Sequence, residues 1–417
     1  MIKKSKATSV NLESLNNPYK TILMAQDKDQ KTLNVPPLRF PGFTDDWKKT
    51  TLGECCTFYS GGTPTSGRSE YYGGEIPFIR SGEIHSDNTE LSITEMGLKS
   101  SSAKMVSKGD LLLAMYGATS GEIDISKING AINQAILCIQ TTQERYFLKS
   151  LWIKHAPRIL NTYLQGGQGN LSAEIIRGIK FSFPPILEQG KISRFISVLD
   201  QRIATQNKII EDLKKLKSAI IDNIMDNSNY HRIRFEELYD KAGEGGTPST
   251  SVSEYYTDGT IPFVKIEDLS KKYLFDSKDH ITELGLCKSS AWIIPTNSII
   301  YSNGATIGAI SINKIPVCTK QGILGIIPKK EFDVEYLYYF MSSTYFRKQV
   351  ERIVTEGTMR TAYLKDINHI ECPVPDYEKQ IGISQILRSF SNKIEIEQRL
   401  LTNYIQQKEY LLKSLFI

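Results

Sequence analysis

Two stretches of the chain combine paired glycines with polar side chains that could contact a polyanion. The first, Gly61–Phe78, reads GGTPTSGRSEYYGGEIPF, and the second, Gly245–Phe263, reads GGTPSTSVSEYYTDGTIPF. Two glycines in succession let the backbone turn sharply and approach a neighbouring surface. Hydroxyl and guanidinium groups beside such a turn can donate hydrogen bonds to phosphate oxygens. A tight turn without a ligand is the alternative, and either copy taken alone favours it.

Further loops add groups that could read bases. Tyr116–Gly121 matches Asn303–Gly308, and both are glycine-hinged loops that follow an apolar run. Asn133-Gln134 and Lys320-Gln321 come next along the chain. Side chains of these types read base edges in the major groove of DNA. We therefore interpret these loops as candidate contacts to nucleic acid.

The candidate contacts recur in both halves of the chain. Two more glycine-containing loops, 166–170 and 356–360, precede the last proline of each half. Loops carry binding function while a shared framework is kept, so the positions common to both halves are the most informative. The residues expected to contact DNA are Thr63, Thr65, Arg68, Arg80, Lys104, Tyr116, Thr119, Asn133 and Gln134 in the first half, and Thr247, Ser249, Lys265, Asn303, Thr306, Lys320, Gln321 and Arg360 in the second.

Catalytic chemistry has no recognisable signature in the sequence. No Gly-x-x-x-x-Gly-Lys-Ser/Thr phosphate loop is present, and no glycine-rich turn precedes a helix in the pattern that binds S-adenosylmethionine or NAD. Asn17-Pro18-Tyr19 faintly resembles the Asn-Pro-Pro-Tyr loop of amino-methyltransferases but lacks its second proline. We expect no metal, no cofactor and no activity of the isolated chain; a degenerate methyltransferase is the enzymatic alternative. Metal-ligand spacing is absent from the five histidines, His85, His155, His231, His280 and His369.

The paired stretches belong to a duplication that runs to the end of the chain. Ile93–Leu98 matches Ile281–Leu286, and Gln189 matches Gln380. The offset between the copies drifts only from 184 to 191 residues. A period near 190 residues is too long for a solenoid repeat, so it indicates two copies of one domain.

Each copy has mixed secondary-structure signals. Apolar runs bounded by glycine at 111–115 and 298–301 predict strands. Stretches 145–161 and 334–350 instead have helical spacing with aromatic residues. We therefore expect an α+β domain with an irregular sheet and long loops in each copy.

A long helix is predicted at the end of each copy. Apolar residues recur in alternating steps of three and four, the a/d pattern of a coiled coil, with polar Gln206, Lys217, Glu397 and Lys408 in matching places. The alternative is an ordinary amphipathic helix that packs on its own domain. The residues expected to pair the two helices are Ile196, Leu199, Ile203, Ile210, Leu213 and Ile220 in the first, and Leu387, Phe390, Ile394, Leu401, Tyr404 and Leu411 in the second.

Paired helices of this kind would have to be antiparallel, because the second helix has no third domain to reach. The expected fold class is α+β: two duplicated mixed α/β domains joined by two long antiparallel coiled-coil helices in a pseudo-two-fold dumbbell. About 38 helical residues at ~1.5 Å each would give a rod of about 57 Å, against ~34 Å for one turn of DNA. Such a molecule would match a bipartite duplex target.

We expect five segments along the chain. Residues 1–37 are polar and without periodicity, which predicts a flexible leader. Residues 38–187 and 229–376 are expected to form the two domains. Residues 188–228 and 377–417 are expected to form the central and the distal long helix.

Composition limits the class of protein. The chain has 417 residues, 40% of them hydrophobic, and a net charge of +5 from 51 basic and 46 acidic residues. This mild excess permits nucleic acid as a partner but does not require it. No apolar run reaches the ~18 residues of a membrane span, and the N-terminus lacks a secretory signal. The six cysteines form no Cys-x-x-Cys pair, so reduced thiols in a cytoplasmic protein are the simplest interpretation.

Together these motifs resemble those of one known family. The chain resembles the specificity (S) subunits of type I restriction–modification systems in Leu38-Arg39-Phe40 with Trp47, in the doubled Gly-Gly-Thr-Pro…Tyr-Tyr…Ile-Pro-Phe, in the Gly-Ala-Thr loops and in the Pro-Pro-x-x-Glu-Gln run at Pro184–Gln189. The resemblance covers about residues 38–417. The second copy departs from it, because Glu378 stands one place early.

The resemblance implies a non-catalytic subunit that reads an asymmetric bipartite DNA site, with one half-site for each target-recognition domain. It also implies two methyltransferase (M) subunits that bind the helices, bring S-adenosylmethionine and methylate adenine at N6. Endonuclease–translocase (R) subunits would add ATP-dependent cleavage. The alternative is a free-standing pseudo-dimeric DNA-binding regulator.

Overall fold

The structure is a computed structural model that describes residues 34–164, 170–354 and 360–417. The described chain divides into two compact units. The first unit ends at Arg202 and also includes Tyr404–Ile417, whereas the second unit is Ile203–Asn403. Both divisions fall inside long helices, so each unit contains a part of each of the two helices.

The first unit is built mainly from short strands. They are β1 (Lys48–Thr51), β2 (Cys56–Ser60), β3 (Tyr72–Ile79), β4 (Ser92–Ile93), β5 (Lys104–Val106), β6 (Leu111–Ala114), β7 (Ile123–Ile125), β8 (Gly130–Ile132), β9 (Ile136–Thr141) and β10 (Lys180–Phe183). The main sheet has the antiparallel order β2-β9-β6-β7. A second sheet has the order β4-β3-β8-β5, in which β3 and β8 are parallel, and β1 pairs with β10.

The first unit also contains helices between its strands and at its C-terminal side. They are α1 (Leu52–Cys55), α2 (Glu95–Lys99), α3 (Arg145–Leu164), α4 (Ala173–Gly178) and the first part of α5 (Ile186–Met225). Single turns of 3-10 helix lie at Ser69–Tyr71, Ser81–Glu83 and Gly117–Thr119.

The second unit repeats this plan with small differences. Its strands are β11 (His231–Arg234), β12 (Tyr239–Glu244), β13 (Ile261–Val264), β14 (Tyr273–Leu274), β15 (Asp279–Ile281), β16 (Ile299–Ser302), β17 (Ile310–Asn313), β18 (Cys318–Thr319), β19 (Ile323–Pro328) and β20 (Glu371–Val374). Its main sheet has the order β12-β19-β16-β17-β14, beside β15-β13-β18 and the pair β11-β20. Its helices are α6 (Glu283–Cys287), α7 (Val334–Met341), α8 (Thr344–Ile353), α9 (Leu364–Ile367) and α10 (Tyr377–Ser414), with 3-10 turns at Phe235–Glu237, Ser253–Tyr255 and Ile266–Asp268.

The apolar runs predicted as strands are central strands of the two main sheets. Every residue of β6 and of β16 is buried, as expected for strands with neighbours on both sides. The helix predicted over 334–350 is instead two helices. Ser343 interrupts it, because its side chain accepts a hydrogen bond from the Phe346 backbone N–H at 3.0 Å and so caps a new helix, α8.

Residues at or just beyond the C-terminal ends of the two long helices are buried in the hydrophobic cores of the two units. In the first unit, Phe416, which lies two residues beyond the end of α10, is 5.0 Å from Phe147 between ring centroids, and both rings are fully buried. In the second unit, Met225 of α5 is fully buried in the corresponding core. Phe416 follows Met225 by 191 residues, the offset of the duplication in this region. Residues at equivalent positions of the duplication therefore pack into the cores of the two units, Met225 in the second and Phe416 in the first.

Burial along the long helices follows the a/d spacing. Gln206 and Glu397, two of the polar residues in the predicted a/d pattern, are buried as well. In α5, Ile196, Leu199 and Ile210 are buried, and Ile203, Leu213 and Ile220 are half-buried; in α10, Leu387, Ile394 and Leu411 are buried, and Phe390, Leu401 and Tyr404 are half-buried.

Within the second unit, polar contacts show the relative direction of the helix segments. Gln206 of α5 contacts Glu397 of α10, whereas Lys217, eleven residues later, donates to Ser391, six residues earlier, at 2.8 Å. The contact partner moves backward along α10 as α5 advances, so these two segments are antiparallel.

The matching glutamines in the first turns of the long helices, Gln189 and Gln380, make equivalent hydrogen bonds in both units. Gln189 accepts a hydrogen bond from the Glu144 backbone N–H at 3.1 Å and donates to the Pro184 carbonyl at 2.8 Å. Gln380 does the same with the Asp333 backbone N–H at 2.9 Å and the Pro375 carbonyl at 3.0 Å. Each glutamine therefore ties the start of its long helix to the helix that follows the main sheet.

The neighbouring glutamate differs between the units. Arg39 forms two hydrogen bonds of 2.7 Å with the buried carboxylate of Glu188. Glu378, one place early in the second copy, is exposed instead. The departure noted in the sequence thus coincides with a carboxylate that is no longer buried.

The predicted fold class is confirmed: a mixed α/β chain with a duplicated domain and long helices. Residues 1–33 of the predicted leader lie outside the described residues. Asn34, near its end, is bonded to the body of the first unit, because its side chain donates to the Trp47 carbonyl at 2.8 Å.

Candidate nucleic-acid interface

The paired glycines are required by close packing inside each unit. A Cβ atom on Gly61 would lie 1.7 Å from the Ile132 carbonyl oxygen, and one on Gly245 would lie 2.0 Å from the Thr319 carbonyl oxygen. Any larger residue would therefore displace the strand beside it. The close backbone approach that the sequence suggested is made to the protein's own strand.

The repeated tyrosine holds the loop that the glycines begin. The Tyr72 hydroxyl donates to the Pro64 carbonyl at 2.6 Å, and the Tyr256 hydroxyl donates to the Pro248 carbonyl at the same distance. These contacts agree with the interpretation of the shared residues as framework. Recognition would then fall to the exposed side chains between them.

The candidate loops of the first unit meet at one end of its main sheet. Strand β2 ends at Ser60 opposite Leu137, and β6 ends at Ala114 opposite Ile136. The loops that follow β2 and β6 therefore lie beside the loop that precedes β9. The second unit has the same arrangement, because β12 and β16 end opposite the start of β19.

Hydrogen bonds connect these loops to one another. In the first unit, the Thr63 hydroxyl donates to Gln134 Oε1 at 2.5 Å, and the Met115 backbone N–H donates to the Ala135 carbonyl at 2.8 Å. The Leu171 N–H donates to the Met115 carbonyl at 3.0 Å and adds the loop before α4.

Matching contacts connect the loops of the second unit. The Gln321 backbone N–H donates to Thr247 Oγ1 at 3.5 Å, and Asn303 N–H donates to the Gly322 carbonyl at 3.1 Å. The Ala362 N–H donates to the Asn303 carbonyl at 2.9 Å. We call each of these groups of four loops a loop cluster: residues 61–68, 115–121, 133–135 and 170–172 in the first unit, and 245–252, 303–308, 320–322 and 360–362 in the second.

Three predicted cationic contacts are already paired with carboxylates, and the first of them, Arg68, contacts exposed Glu70 at 3.2 Å. Arg80 contacts Glu83 at 3.0 Å and Glu90 at 2.5 Å, and these hydrogen bonds raise its pKa. Lys265, at the matching position, contacts Asp279 at 2.8 Å, and that hydrogen bond likewise raises its pKa. Arg80 and Lys265 stay charged, but a phosphate would have to compete with these carboxylates. The four acidic partners, Glu70, Glu83, Glu90 and Asp279, were not predicted from the sequence, although the i,i+3 spacing of Arg80 and Glu83 was a usable signal.

Asn303 does not face solvent as expected of a DNA contact. Its side chain is 2% exposed and donates to Glu244 Oε1 at 3.2 Å and to the Ala362 carbonyl at 3.1 Å. The buried Asn303 side chain therefore stabilises its own loop through these internal hydrogen bonds. Its buried Oδ1 has no hydrogen-bond partner among the described residues.

The other predicted contacts lie at or near the surface. The segments 165–169 and 355–359, which contain most of the two remaining predicted glycine loops, lie outside the described residues. Thr63, Thr65, Arg68, Lys104, Gln134, Thr247, Ser249, Thr306, Lys320, Gln321 and Arg360 are exposed, and Arg80, Tyr116, Thr119, Asn133 and Lys265 are half-buried.

The described residues contain neither a candidate metal site nor a membrane-spanning helix. No group of three or more His, Cys, Asp or Glu side chains in 34–164, 170–354 and 360–417 could hold a metal ion. Across the same ranges, no helix is both long enough and apolar enough to cross a membrane.

The sequence of this chain is similar to those of known proteins. The sequence model of the type I restriction modification DNA specificity domain matches residues 44–215 and 227–406. The specificity subunit of the type I restriction enzyme MjaVIII from Methanocaldococcus jannaschii is 22% identical over 410 residues, 91% of this chain and 93% of that protein. The specificity subunit of the HindI enzyme from Haemophilus influenzae is 30% identical over 167 residues, 39% of this chain and 35% of that protein.

A solved structure has the same fold. The crystal structure of the type I restriction–modification S subunit from M. genitalium covers 92% of this chain and 99% of its own, with a TM-score of 0.58 and 17% identity. The two matched segments of the family model each span one unit's sheets and the adjoining long helix. The chain therefore belongs to the type I restriction modification DNA specificity domain family and is a type I specificity subunit with two such domains.

Proposed function

We propose that this chain directs a type I restriction–modification complex to an asymmetric bipartite duplex site, with one half-site contacted by each loop cluster. The single observation that carries the proposal is the recurrence of one cluster in two units. The main-chain framework is shared, as in the glycine and tyrosine contacts to Ile132 and Pro64 in one unit and to Thr319 and Pro248 in the other. A shared framework with different exposed side chains suits two related but different half-sites.

The side chains around the framework differ in chemistry. Lys104 and Met105 occupy the place of Trp292 and Ile293. Trp292 donates its indole N–H to the Glu244 carbonyl at 3.2 Å and lies 4.2 Å from the Lys241 ammonium, measured to the ring centroid. Lys104 is instead an exposed cation. Such differences favour an asymmetric target.

The long helices offer a surface for methyltransferase (M) subunits. In the first unit, Phe195, Val198 and Tyr410 are 45%, 47% and 64% exposed. With Leu199, Arg202, Tyr404, Gln407 and Leu411 they line a groove of about 380 Å³. A partly apolar groove beside exposed aromatic residues is typical of a protein interface. The M subunits would supply S-adenosylmethionine and the adenine-N6 methylation, R subunits would add cleavage, and this chain itself would be non-catalytic.

Exchange of one loop cluster tests the recognition proposal. Residues 61–140 are replaced by the equivalent segment of another type I specificity subunit, and the methylated motif is mapped by long-read sequencing in cells with the cognate M subunits. We expect one half of the motif to change and the other to stay. The reciprocal exchange of residues 245–327 is the matched control and should change the other half. A change in both halves from either exchange would contradict separate reading by the two units.

A pull-down tests the partner proposal and the regulator alternative. We expect the chain to retain M subunits, and Phe195→Asp with Tyr410→Asp to lose them. Phe275→Asp is the control, because Phe275 is 69% exposed but lies outside the long helices. Sequence-specific DNA binding without retention of M subunits would instead favour a free-standing regulator.

A further inference from the structure

Gln134 and Gln321 occupy the same exposed place in the two loop clusters. Gln134 stands two residues before β9 and Gln321 two residues before β19, which are equivalent inner strands of the two main sheets. Both glutamines are exposed. Each also contacts the threonine of the Gly-Gly-Thr-Pro loop, Thr63 or Thr247. The residues directly before them differ, since Asn133 stands where the second unit has Lys320.

The hydrogen bonds of Gln134 leave its amide nitrogen available. The Thr63 hydroxyl donates to Oε1 at 2.5 Å, which fixes the orientation of the side-chain amide. A primary amide carries two N–H donors on its nitrogen. Among the described residues, Nε2 of Gln134 makes no hydrogen bond, and Oε1 makes only the bond from Thr63. In the second unit, Thr247 contacts the backbone N–H of Gln321, so the whole side-chain amide of Gln321 is available.

We propose that Gln134 and Gln321 are equivalent DNA-contacting residues, each of which donates from its side-chain amide to a hydrogen-bond acceptor of its own half-site. This inference rests on the proposed function. A residue that is identical in both units cannot account for a difference between the half-sites. It therefore contacts an acceptor that both half-sites have, while neighbours such as Asn133 and Lys320 differ. That acceptor is either a base edge in the major groove or a phosphate oxygen.

The substitution Gln134→Glu separates the DNA contact from the internal hydrogen bond. A glutamate keeps an oxygen that accepts from the Thr63 hydroxyl, so the loop contact is retained. It replaces the amide donor by a negatively charged oxygen, which an acceptor on DNA repels. Gln321→Glu makes the same change in the second unit, where the Thr247 contact uses the backbone and is untouched. Both variants are tested in the full complex with the cognate M subunits and duplex DNA that contains the mapped motif.

We expect each variant to lower the rate of methylation by about 5- to 150-fold, the range for loss of a good base contact. Loss of a base-edge contact would make one position of the motif degenerate, in one half for Gln134→Glu and in the other for Gln321→Glu. Loss of a phosphate contact would slow methylation equally on all variants of the motif.

Thr142→Glu is the matched control. Thr142 is exposed and follows the far end of β9, so the same charge is added to the same unit away from the loop cluster. It should methylate at the wild-type rate. If Gln134→Glu and Gln321→Glu retain the wild-type rate and motif while the cluster exchanges still alter one half each, this inference fails and the proposed function stands. If the wild-type complex shows no bipartite motif, the proposed function itself fails.

Discussion

Gln206 of α5 donates its side-chain amide to the backbone carbonyl of Glu397 of α10 at 3.1 Å, and also to the Glu397 carboxylate. Glu397 stands at the place of Gln206 in the second copy of the helix, 191 residues later. Both side chains are buried. Two polar residues that interrupt the apolar a/d pattern therefore satisfy one another. A buried polar contact of this kind specifies the register of paired helices at some cost in stability.

The lysines of the pattern also have polar partners. Lys408 contacts Asp200 at 2.6 Å in the first unit, and Lys217 donates to Ser391 at 2.8 Å in the second. Lys408 and Lys217 are 191 residues apart, as are Ser391 and Asp200. The duplication has thus kept the position of this contact while its acceptor changed from a carboxylate to a hydroxyl.

The buried Gln206–Glu397 contact predicts a non-additive effect on stability. We expect Glu397→Ala to lower the free energy of unfolding by ~1–3 kcal/mol, because the Gln206 amide loses a buried partner. The double variant Gln206→Leu/Glu397→Leu should lie close to the wild type, because no buried polar group is then left unsatisfied and Lys393, which also pairs with Glu397, is exposed to solvent. Urea unfolding of all three proteins measures the coupling. Gln398→Ala, at an exposed neighbouring position, is the control, and an equal loss in Glu397→Ala and Gln398→Ala would contradict the prediction.

Breaking the Arg39–Glu188 ion pair of the first unit is expected to lower the free energy of unfolding by more than breaking the Gln206–Glu397 contact. The Glu188 side chain has no exposed surface, and its carboxylate accepts two hydrogen bonds from Arg39. We expect Arg39→Met to cost ~3–5 kcal/mol of unfolding free energy, since it leaves a buried charge unpaired. Arg68→Met breaks an exposed ion pair with Glu70 and should cost less than ~1 kcal/mol. Thermal unfolding compares the two, and similar shifts for both would show that Glu188 finds another partner.

The duplication and the long helices were predictable because both are patterns of spacing. A period near 190 residues and an a/d repeat need no knowledge of the tertiary structure. The burial of Asn303 was not predictable, because it depends on Glu244 and Ala362, each 59 residues away in the sequence. The pairing of Lys265 with Asp279 depends likewise on the antiparallel register of β13 and β15. Loop side chains take their roles from the strands that the fold brings beside them.

The C-terminal residues are expected to stabilise the first unit selectively. Phe416 is fully buried against Phe147, and the Lys154 ammonium donates to the Phe416 carbonyl at 2.5 Å. We expect Phe416→Ala to cost ~3–5 kcal/mol, the usual range for a buried phenylalanine. Hydrogen exchange should accelerate in β1, β10 and α3 and stay unchanged in β16 and β19. Tyr410→Ala, at a 64% exposed position of α10, is the control, and uniform acceleration in both units would contradict the prediction.

Lys217 is expected to make the stability of the second unit depend on pH. Burial lowers the pKa of Lys217 to about 8, and the charge of Lys272 adds to this effect. Because the unfolded chain keeps the proton to about pH 10.4, stability should rise with pH from about 8 to 10.4. The side chain is half-buried, so solvent screening limits the gain to ~1–2 kcal/mol. Burial raises the pKa of Tyr339 to about 12, which opposes the rise above pH 10.

The substitution Lys217→Met isolates this contribution. We expect the variant to be more stable than the wild type at pH 7, where the buried ammonium is charged, and the difference to shrink as the pH approaches 10. The Lys217 ammonium lies 5.2 Å from the centroid of the Tyr339 ring, so the comparison is kept at or below pH 10, where folded Tyr339 stays protonated. Lys208→Met, at an exposed position of the same helix, is the control and should give a difference from the wild type that does not change with pH over this window. Denaturant unfolding at pH 7, 8, 9 and 10 measures both variants. A constant difference for Lys217→Met would show that its ammonium is as well solvated in the folded protein as in the unfolded chain.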